Sequence, residues 1–324
     1  MKFGKKTLRL SVLGAMLALI LPLSGVAFAD GNPVFLVVGA SPGGDTDRLA
    51  RGIAREMAPL LKQPVVVENK PGAGGNIAAQ YVARSAKDGN TLLVSATNFS
   101  VNPSLYKHLP FDTEKDFSPI SMLAEVPAVL VARKDFPANT MAEVIRLAKA
   151  APGKYSFAIG GVGSSVHMAT ASFEMQTDIK GLNVPFNGTT PALQAVLGGQ
   201  IDLMFGTAAN VMPFLNSGRL KYLGVTSKQP IPQFPGVPPI AATLKNFSST
   251  AWFGMFAPAG VPSARIDQLN RAVIAGAQHE SFKQLIVPEG GTVVTMTPGE
   301  LSRLTGADIK HYEKIVKFTG ATPQ

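Results

Sequence analysis

The chain has 324 residues, a formal charge of +9, 46% apolar residues and no cysteine. Length and apolar content suffice for two packed domains, and the lack of cysteine excludes disulfides, a thiolate nucleophile and a lipid-modified cysteine. The basic residues are scattered, without a polybasic run or an aromatic ladder, which argues against nucleic acid as a partner.

In chain order, the first 29 residues read as a secretory leader. Lys2, Lys5, Lys6 and Arg9 form a basic start, Leu10 to Leu21 is apolar, and Ala27-Phe28-Ala29 fits the cleavage pattern. That apolar run is too short to anchor in a bilayer, and no other segment approaches the ~18 apolar residues a spanning helix needs. Cleavage before Asp30 would leave a freely soluble periplasmic chain carrying +5, the leader holding four basic residues and no acid.

Val34–Val38 predicts a strand and Asp45–Leu61 a helix, with Leu49, Ile53, Met57 and Leu60 on one face. Between them lies Ser41-Pro42-Gly43-Gly44. A strand turning through such a segment into a helix presents bare N–H groups backed by the helix dipole, an anion cradle without a charged side chain. Strands Val65–Val67 and Thr91–Ser95 flank a predicted helix over Gly75–Ser85. Then come strand Ala128–Ala132, helix Met141–Ala150, strand Tyr155–Ile159, helix Ser165–Thr177, strand Leu182–Pro185 and helix Thr189–Leu197. Strands Ile201–Phe205 and Leu220–Thr226 follow. Five prolines between Pro230 and Pro239 predict an extended surface connection. Trp252–Pro258 is strand-like, Ala264–Gln278 helical, and helical segments continue to the end, without an internal repeat.

This βα alternation predicts an α/β fold of open, mostly parallel sheets with helices on both faces, and ligands beyond the carboxyl ends of the strands. Four polar loops fall at such ends: Ser41–Asp47, Ala96–Ser100, Gly160–Ser165 and Asn187–Thr190. Each taken alone reads as a helix cap; together they point to a site. Asp45 reads as a cap by its place in the first helical turn, while Asp47 is open between a dipole partner, a loop organiser and a ligand acceptor. Ser164 and Ser165 are open between N-cap and ligand donor. His167 reads as a packed, hydrogen-bonded histidine. The Gly72–Asn76 run breaks the dinucleotide frame at Ile77, and Gly161–Ser165 is not a nucleophile elbow, because Val162 and Val166 break it. The four histidines lack metal-ligand spacing, so neither a metal nor a cofactor is expected.

Several stretches resemble the Bug receptors, the TctC-like extracytoplasmic solute-binding proteins of tripartite tricarboxylate transporters. They are Ser41-Pro42-Gly43-Gly44 with Asp47 and Ala50-Arg51, Val67 to Asn76, Asn102 to Tyr106, Gly163 to His167, Val184 to Phe205, and Trp252 to Pro258. The resemblance implies a periplasmic binding protein-like fold of two α/β domains joined by two crossover strands near Val131 and Phe253. One domain would take residues 30–130 with 254–324, the other 131–253, closing on a small carboxylate for delivery to membrane transporter subunits. It implies ligand contacts from Ser41, Gly43, Gly44, Asp47, Thr97, Asn98, Ser164 and Ser165, with Gly163 in the same loop. Ala40, Asn187 and Gly206 stand where the family usually has larger or charged residues, which predicts a roomier or less cationic pocket. A monomer without catalytic activity is expected. The rivals are a sensor subunit for a two-component kinase and a serine esterase using Ser164 or Ser165 with His167.

Overall fold

The computed structural model describes residues 31–320, and the expected leader lies outside them. Its strands are β1 Val34–Val38, β2 Val65–Asn69, β3 Thr91–Ala96, β4 Phe117–Arg133, β5 Ser156–Ile159, β6 Leu182–Pro185, β7 Leu203–Thr207, β8 Leu220–Val225, β9 Thr250–Pro258 and β10 Thr292–Val293. The helices are α1 Asp45–Leu61, α2 Asn76–Ala83, α3 Asn98–Leu105, α4 Met141–Ala150, α5 Ser165–Thr177, α6 Thr189–Leu197, α7 Ala208–Val211, α8 Ser263–Ala277, α9 Glu280–Lys283 and α10 Pro298–Thr319. The strands join in the order β2-β1-β3-β9-β4-β7-β5-β6, with β8 and β10 also paired to β4.

The 17-residue β4 is the axis of the molecule. Up to Pro127 it pairs with β9, and with β10 at Ala124 and Glu125; from Ala128 it pairs with β7 and β8. Val131 thus lies inside the second wing, opposite Met204 and Tyr222, and Phe253 inside the first, opposite Ala96 and Ala124. Strands β1, β2 and β3 are mutually parallel, as are β5, β6 and β7. The parallel expectation therefore holds in each wing, whereas every pairing of β4 and β9 is antiparallel. Strand direction then decides where a site can form. β9 runs against both β3 and β4, so β3 and β4 point the same way, while β7 runs against β4. The carboxyl ends of the two parallel sets consequently face each other across the middle of β4. Ala96 lies level with Ala124 and Thr207 with Ala128, four residues or roughly 13 Å along the strand.

Each wing is covered on both faces. Leu36, Val38 and Val94 pack under Leu49, Ile53 and Met57 of α1 and Leu269 and Val273 of α8, while Val37, Leu93 and Phe256 meet Val82, Phe99 and Leu301 on the other side. This is the period-2 alternation of strands meeting the apolar stripe of helices. Leu60, expected on that stripe, is 44% exposed, because the helix ends at Lys62 in a left-handed turn and Leu61 takes the buried place. In the second wing, Leu130, Phe157 and Phe205 pack with Val144 and Phe173, and Val131, Met204 and Val225 with Val196 and Phe234.

The Pro230–Pro239 connection is irregular as expected, yet it is more than surface: Ile231, Phe234 and Val237 are buried in the second-wing core. A further apolar cluster ties the wings together. Val101 and Leu105 of α3 meet Met168 and Ala171 of α5, with Tyr312, Ile315 and Val316 of α10 covering both. It brings the start of α5 against α3.

Candidate functional site

Two strand-to-helix loops have nearly the same backbone. Gly43 (φ 84°) and Gly163 (φ 78°) both sit in the left-handed region that favours glycine. The next amide closes a tight turn in each: Gly44 N donates to Ser41 O and Ser164 N to Gly161 O, both at 3.3 Å. Helical bonding starts alike, with Arg48 N to Gly44 O and Met168 N to Ser164 O, both 2.9 Å. In each loop the left-handed glycine donates to the side chain four residues on: Gly43 N to Asp47 Oδ2 at 2.9 Å, and Gly163 N to His167 Nδ1 at 3.1 Å.

The two braces differ in chemistry. Asp47 is 3% exposed and also accepts from Arg51 Nε at 3.0 Å and Asn69 Nδ2 at 2.8 Å. Burial opposes its charge, but hydrogen bonds from Arg51, Gly43 and Asn69 outweigh that and hold the carboxyl below its usual range. Of the roles left open by the sequence, Asp47 thus fills that of loop organiser. Asp45 does not cap the helix; it pairs with Arg48 at 3.2 Å in the first turn. His167, by contrast, is buried among apolar neighbours, which pushes its imidazole below the ordinary pKa. Accepting at Nδ1, the ring is neutral.

Ser164 is the N-cap of α5: its Oγ accepts from His167 N at 3.2 Å and donates to Gly161 O at 2.8 Å. Within the described residues, the amides of Ser165 and Val166 have no acceptor, and the half-buried Ser165 hydroxyl has no hydrogen-bond partner. Ser165 opens onto a cavity of about 330 Å³ between the wings. The first wing supplies Gly74, Ala96, Thr97, Asn98, Asn102, Leu105, Tyr106, Ala251 and Phe253; the second supplies Val162 to Ser165. Thr97 is buried and accepts from Trp252 N at 2.9 Å. Asn98 and Asn102 both donate to Gly74 O, at 2.5 and 3.0 Å, and Asn102 also donates to Asn76 Oδ1 at 2.7 Å. These bonds lock the Gly72–Asn76 turn onto α3.

Of the residues expected at the site, the cavity wall includes Thr97, Asn98, Gly163, Ser164 and Ser165. Ala40, Ser41, Gly43, Gly44 and Asp47 form the neighbouring bank and are not part of that wall. The connection runs through Gly39, which lies against Gly75, itself against the Asn98 side chain. Asn187 is exposed at the start of α6, where Thr189 lies against Gly160. Gly206 is buried within β7, and a Cβ there would meet Val211 at 2.5 Å, so its small size serves packing. The wall also contains residues not expected there. Asn102, Leu105, Tyr106 and Phe253 lie within motifs that carry the family resemblance, whereas Val162, an exposed apolar residue in a glycine loop, offered the one direct signal.

A larger groove of about 670 Å³ runs along β2, the sheet's edge strand, lined by Arg48, Arg51, Ala54, Arg55, Val65 to Val67 and Leu285 together with Gly43 and Asp47, two of the residues expected at the ligand site. It belongs to one wing only. Its Arg48 pairs with Glu289 at 2.5 Å and its Arg51 with Asp47 at 2.9 Å. It is therefore not where the strand ends converge. Among the described residues neither serine of the esterase reading is hydrogen-bonded to the His167 ring: the Ser164 hydroxyl donates to Gly161 O, the Ser165 hydroxyl has no partner, and His167 Nδ1 accepts from Gly163 N.

Two βα wings meeting at opposed strand ends, with a neutral-walled cavity between them, define a solute-binding receptor of the periplasmic-binding-protein class. Residues 49–321 match the model of the tripartite tricarboxylate transporter family receptor, and the chain belongs to that family. It is similar to the periplasmic binding protein BugD, 34% identical with a TM-score of 0.74 over 90% of this chain and 99% of that one. It is also similar to a Rhodopseudomonas palustris protein, Rpa4515, solved with adipate (30% identical, TM-score 0.76, 90% and 98% covered). MatC of the same organism, solved with malate, is 34% identical with a TM-score of 0.73 over 88% and 98%.

Proposed function

We propose that this chain captures a small organic carboxylate in the cleft between its wings and delivers it to a membrane transporter. The observation that carries the reading is the convergence of strand ends from both wings on one cavity, with the free Ser165 amide and hydroxyl at its wall. Such donors, backed by a helix dipole in a site shielded from water, hold an anion without a cationic side chain. Ser165 would bind directly, while Gly163 and Ser164 shape its loop. Thr97 and Asn98 would form the opposite wall. The bank of Ala40, Ser41, Gly43, Gly44 and Asp47, together with Asn187 and Gly206, would set how the wings meet around the ligand.

The wings act as two lobes that exchange chain within β4 and along residues 226–249. A ligand touching both would shift an open–closed equilibrium, and closure would build the surface the transporter reads. The leader would be cleaved and the monomer released into the periplasm. Calorimetric titration of the mature protein with a broad carboxylate panel tests this: one or more acids should give heat and raise the melting temperature. Neither response across the whole panel rejects the reading.

A further inference from the structure

We propose that the ligand of this cleft carries one carboxylate and that the rest of it is uncharged and largely apolar, an inference that rests on the carboxylate reading above. The cavity wall is divided by chemistry. One part offers donors: the Ser165 hydroxyl and amide, the Thr97 and Tyr106 hydroxyls, and whatever the Asn98 amide retains beyond its bond to Gly74. The other part is Leu105, Val162, Ala251, Phe253 and the ring of Tyr106. Among the described residues, no lysine, arginine, histidine or acidic side chain lines it.

No cation backs these donors, and part of the polar wall is committed. Asn102 has spent both amide hydrogens on Gly74 and Asn76, the Thr97 oxygen accepts from Trp252 N while keeping its own proton to donate, and the Ser164 hydroxyl serves as a cap. The cations on the neighbouring loops are occupied elsewhere. Arg51 is held by Asp47, Arg48 by Glu289 and Lys70 by Glu68. His167 is neutral because its Nδ1 accepts from Gly163. A second carboxylate enclosed here would add a second buried negative charge with only neutral donors and no cation to offset either, and burying an uncompensated charge is costly. An apolar tail would gain from the same wall. Adipate and malate, which the two Rhodopseudomonas proteins hold, each carry two carboxylates, so this chain would differ from those relatives in what it selects.

The test uses acids matched in carbon count: hexanoate against adipate, and 2-hydroxybutyrate against malate, titrated calorimetrically into the mature protein. The monoacid should bind about ten-fold or more tightly in at least one pair, and the diacid should lead in neither. A diacid that binds as tightly as its monoacid, or more so, overturns the proposal while leaving the carboxylate reading intact. Silence from all four acids, in both heat and melting temperature, overturns the proposal, whereas the carboxylate reading falls only if the whole broad panel is silent as well. Val162→Lys places an ammonium at the apolar end, on an exposed loop position that tolerates it. It should narrow or reverse the hexanoate–adipate ratio by about ten-fold. An unchanged ratio in a folded Val162→Lys protein would show that the ligand tail does not lie against this wall and would overturn the assignment.

Discussion

The loop before α1 and the loop before α5 share a left-handed glycine, a tight turn and a brace from the side chain four residues on, yet they are suited to different work. The first is braced by a charged carboxylate, itself held by Arg51 and Asn69, and carries a second acid, Asp45, in the same helical turn. An arriving anion would meet like charge there. The second is braced by a neutral histidine and capped by a serine, and Ser165 at its end lines the inter-wing cavity. The same backbone device thus serves as a braced, exposed turn in one wing and as part of the cavity wall in the other. What separates them is the charge of the brace and what the partner wing sets opposite.

Removing the charged brace should have the largest effect. Asp47→Ala leaves the Gly43 amide and the Asn69 side chain without their acceptor and Arg51 without its counter-charge; the expected loss is about 2–4 kcal/mol in denaturant unfolding. A loss under about 1 kcal/mol would show that the loop is held by other means.

Next come the two glycines. Gly163→Ala combines left-handed strain of roughly 1–2 kcal/mol with a Cβ 2.4 Å from Leu105 Cδ1, so the Leu105 side chain would have to shift within the cavity wall. Ligand affinity should fall more than ten-fold. At Gly43 a Cβ meets open space, so Gly43→Ala should show only strain, about 1 kcal/mol of stability. Equal effects of the two on affinity would erase the distinction drawn between the loops.

The braces should also titrate in different windows. For His167, burial lowers the folded pKa beneath its unfolded value of about 6.5. Its contribution is therefore complete above that pH and lost as pH falls below it. Asp47, also lowered, contributes fully above about pH 3.9 and loses its contribution only in stronger acid. Wild-type protein should accordingly lose more melting temperature between pH 7.5 and 5 than His167→Asn does, whereas Asp47→Asn should match wild type in that interval and diverge only below pH 4. The smallest effect is expected at the cap: Ser164→Ala should cost about 1 kcal/mol and leave the affinity for a bound acid within a few-fold, whereas a collapse of binding would make Ser164 a direct ligand.

Much of the fold could be read in advance where burial imposes a local period. The helices over Asp45–Leu61, Met141–Ala150, Ser165–Thr177 and Thr189–Leu197 and the strands Val34–Val38 and Leu182–Pro185 fall where periodicity and turn residues place them. The first half of β4 was not legible, because Pro119 and Pro127 argue against a strand and the pairing shifts register between Pro119 and Ser121. Helix α3 was hidden for another reason. Phe99, Ser100, Val101, Asn102 and Leu105 are all buried, so it shows no polar–apolar stripe, and Pro103 lies inside it. The site was legible by the same logic. Gly163, Ser164 and Ser165 stood out as a glycine–serine turn, whereas Asn102 and Phe253 enter the wall through long-range packing that no local signal reports.

From its residues alone the chain determined the βα rhythm, the glycine turns at strand ends and the neutral character of its donors, since these follow from spacing and side-chain chemistry within a few positions. Tertiary structure decided which turns face the cavity shared by both wings and which do not. That outcome depends on β4 passing through both wings with opposed neighbours, and on Asn69 and Arg51 reaching Asp47. Strand direction and side-chain contacts between distant segments exist only once the chain has folded.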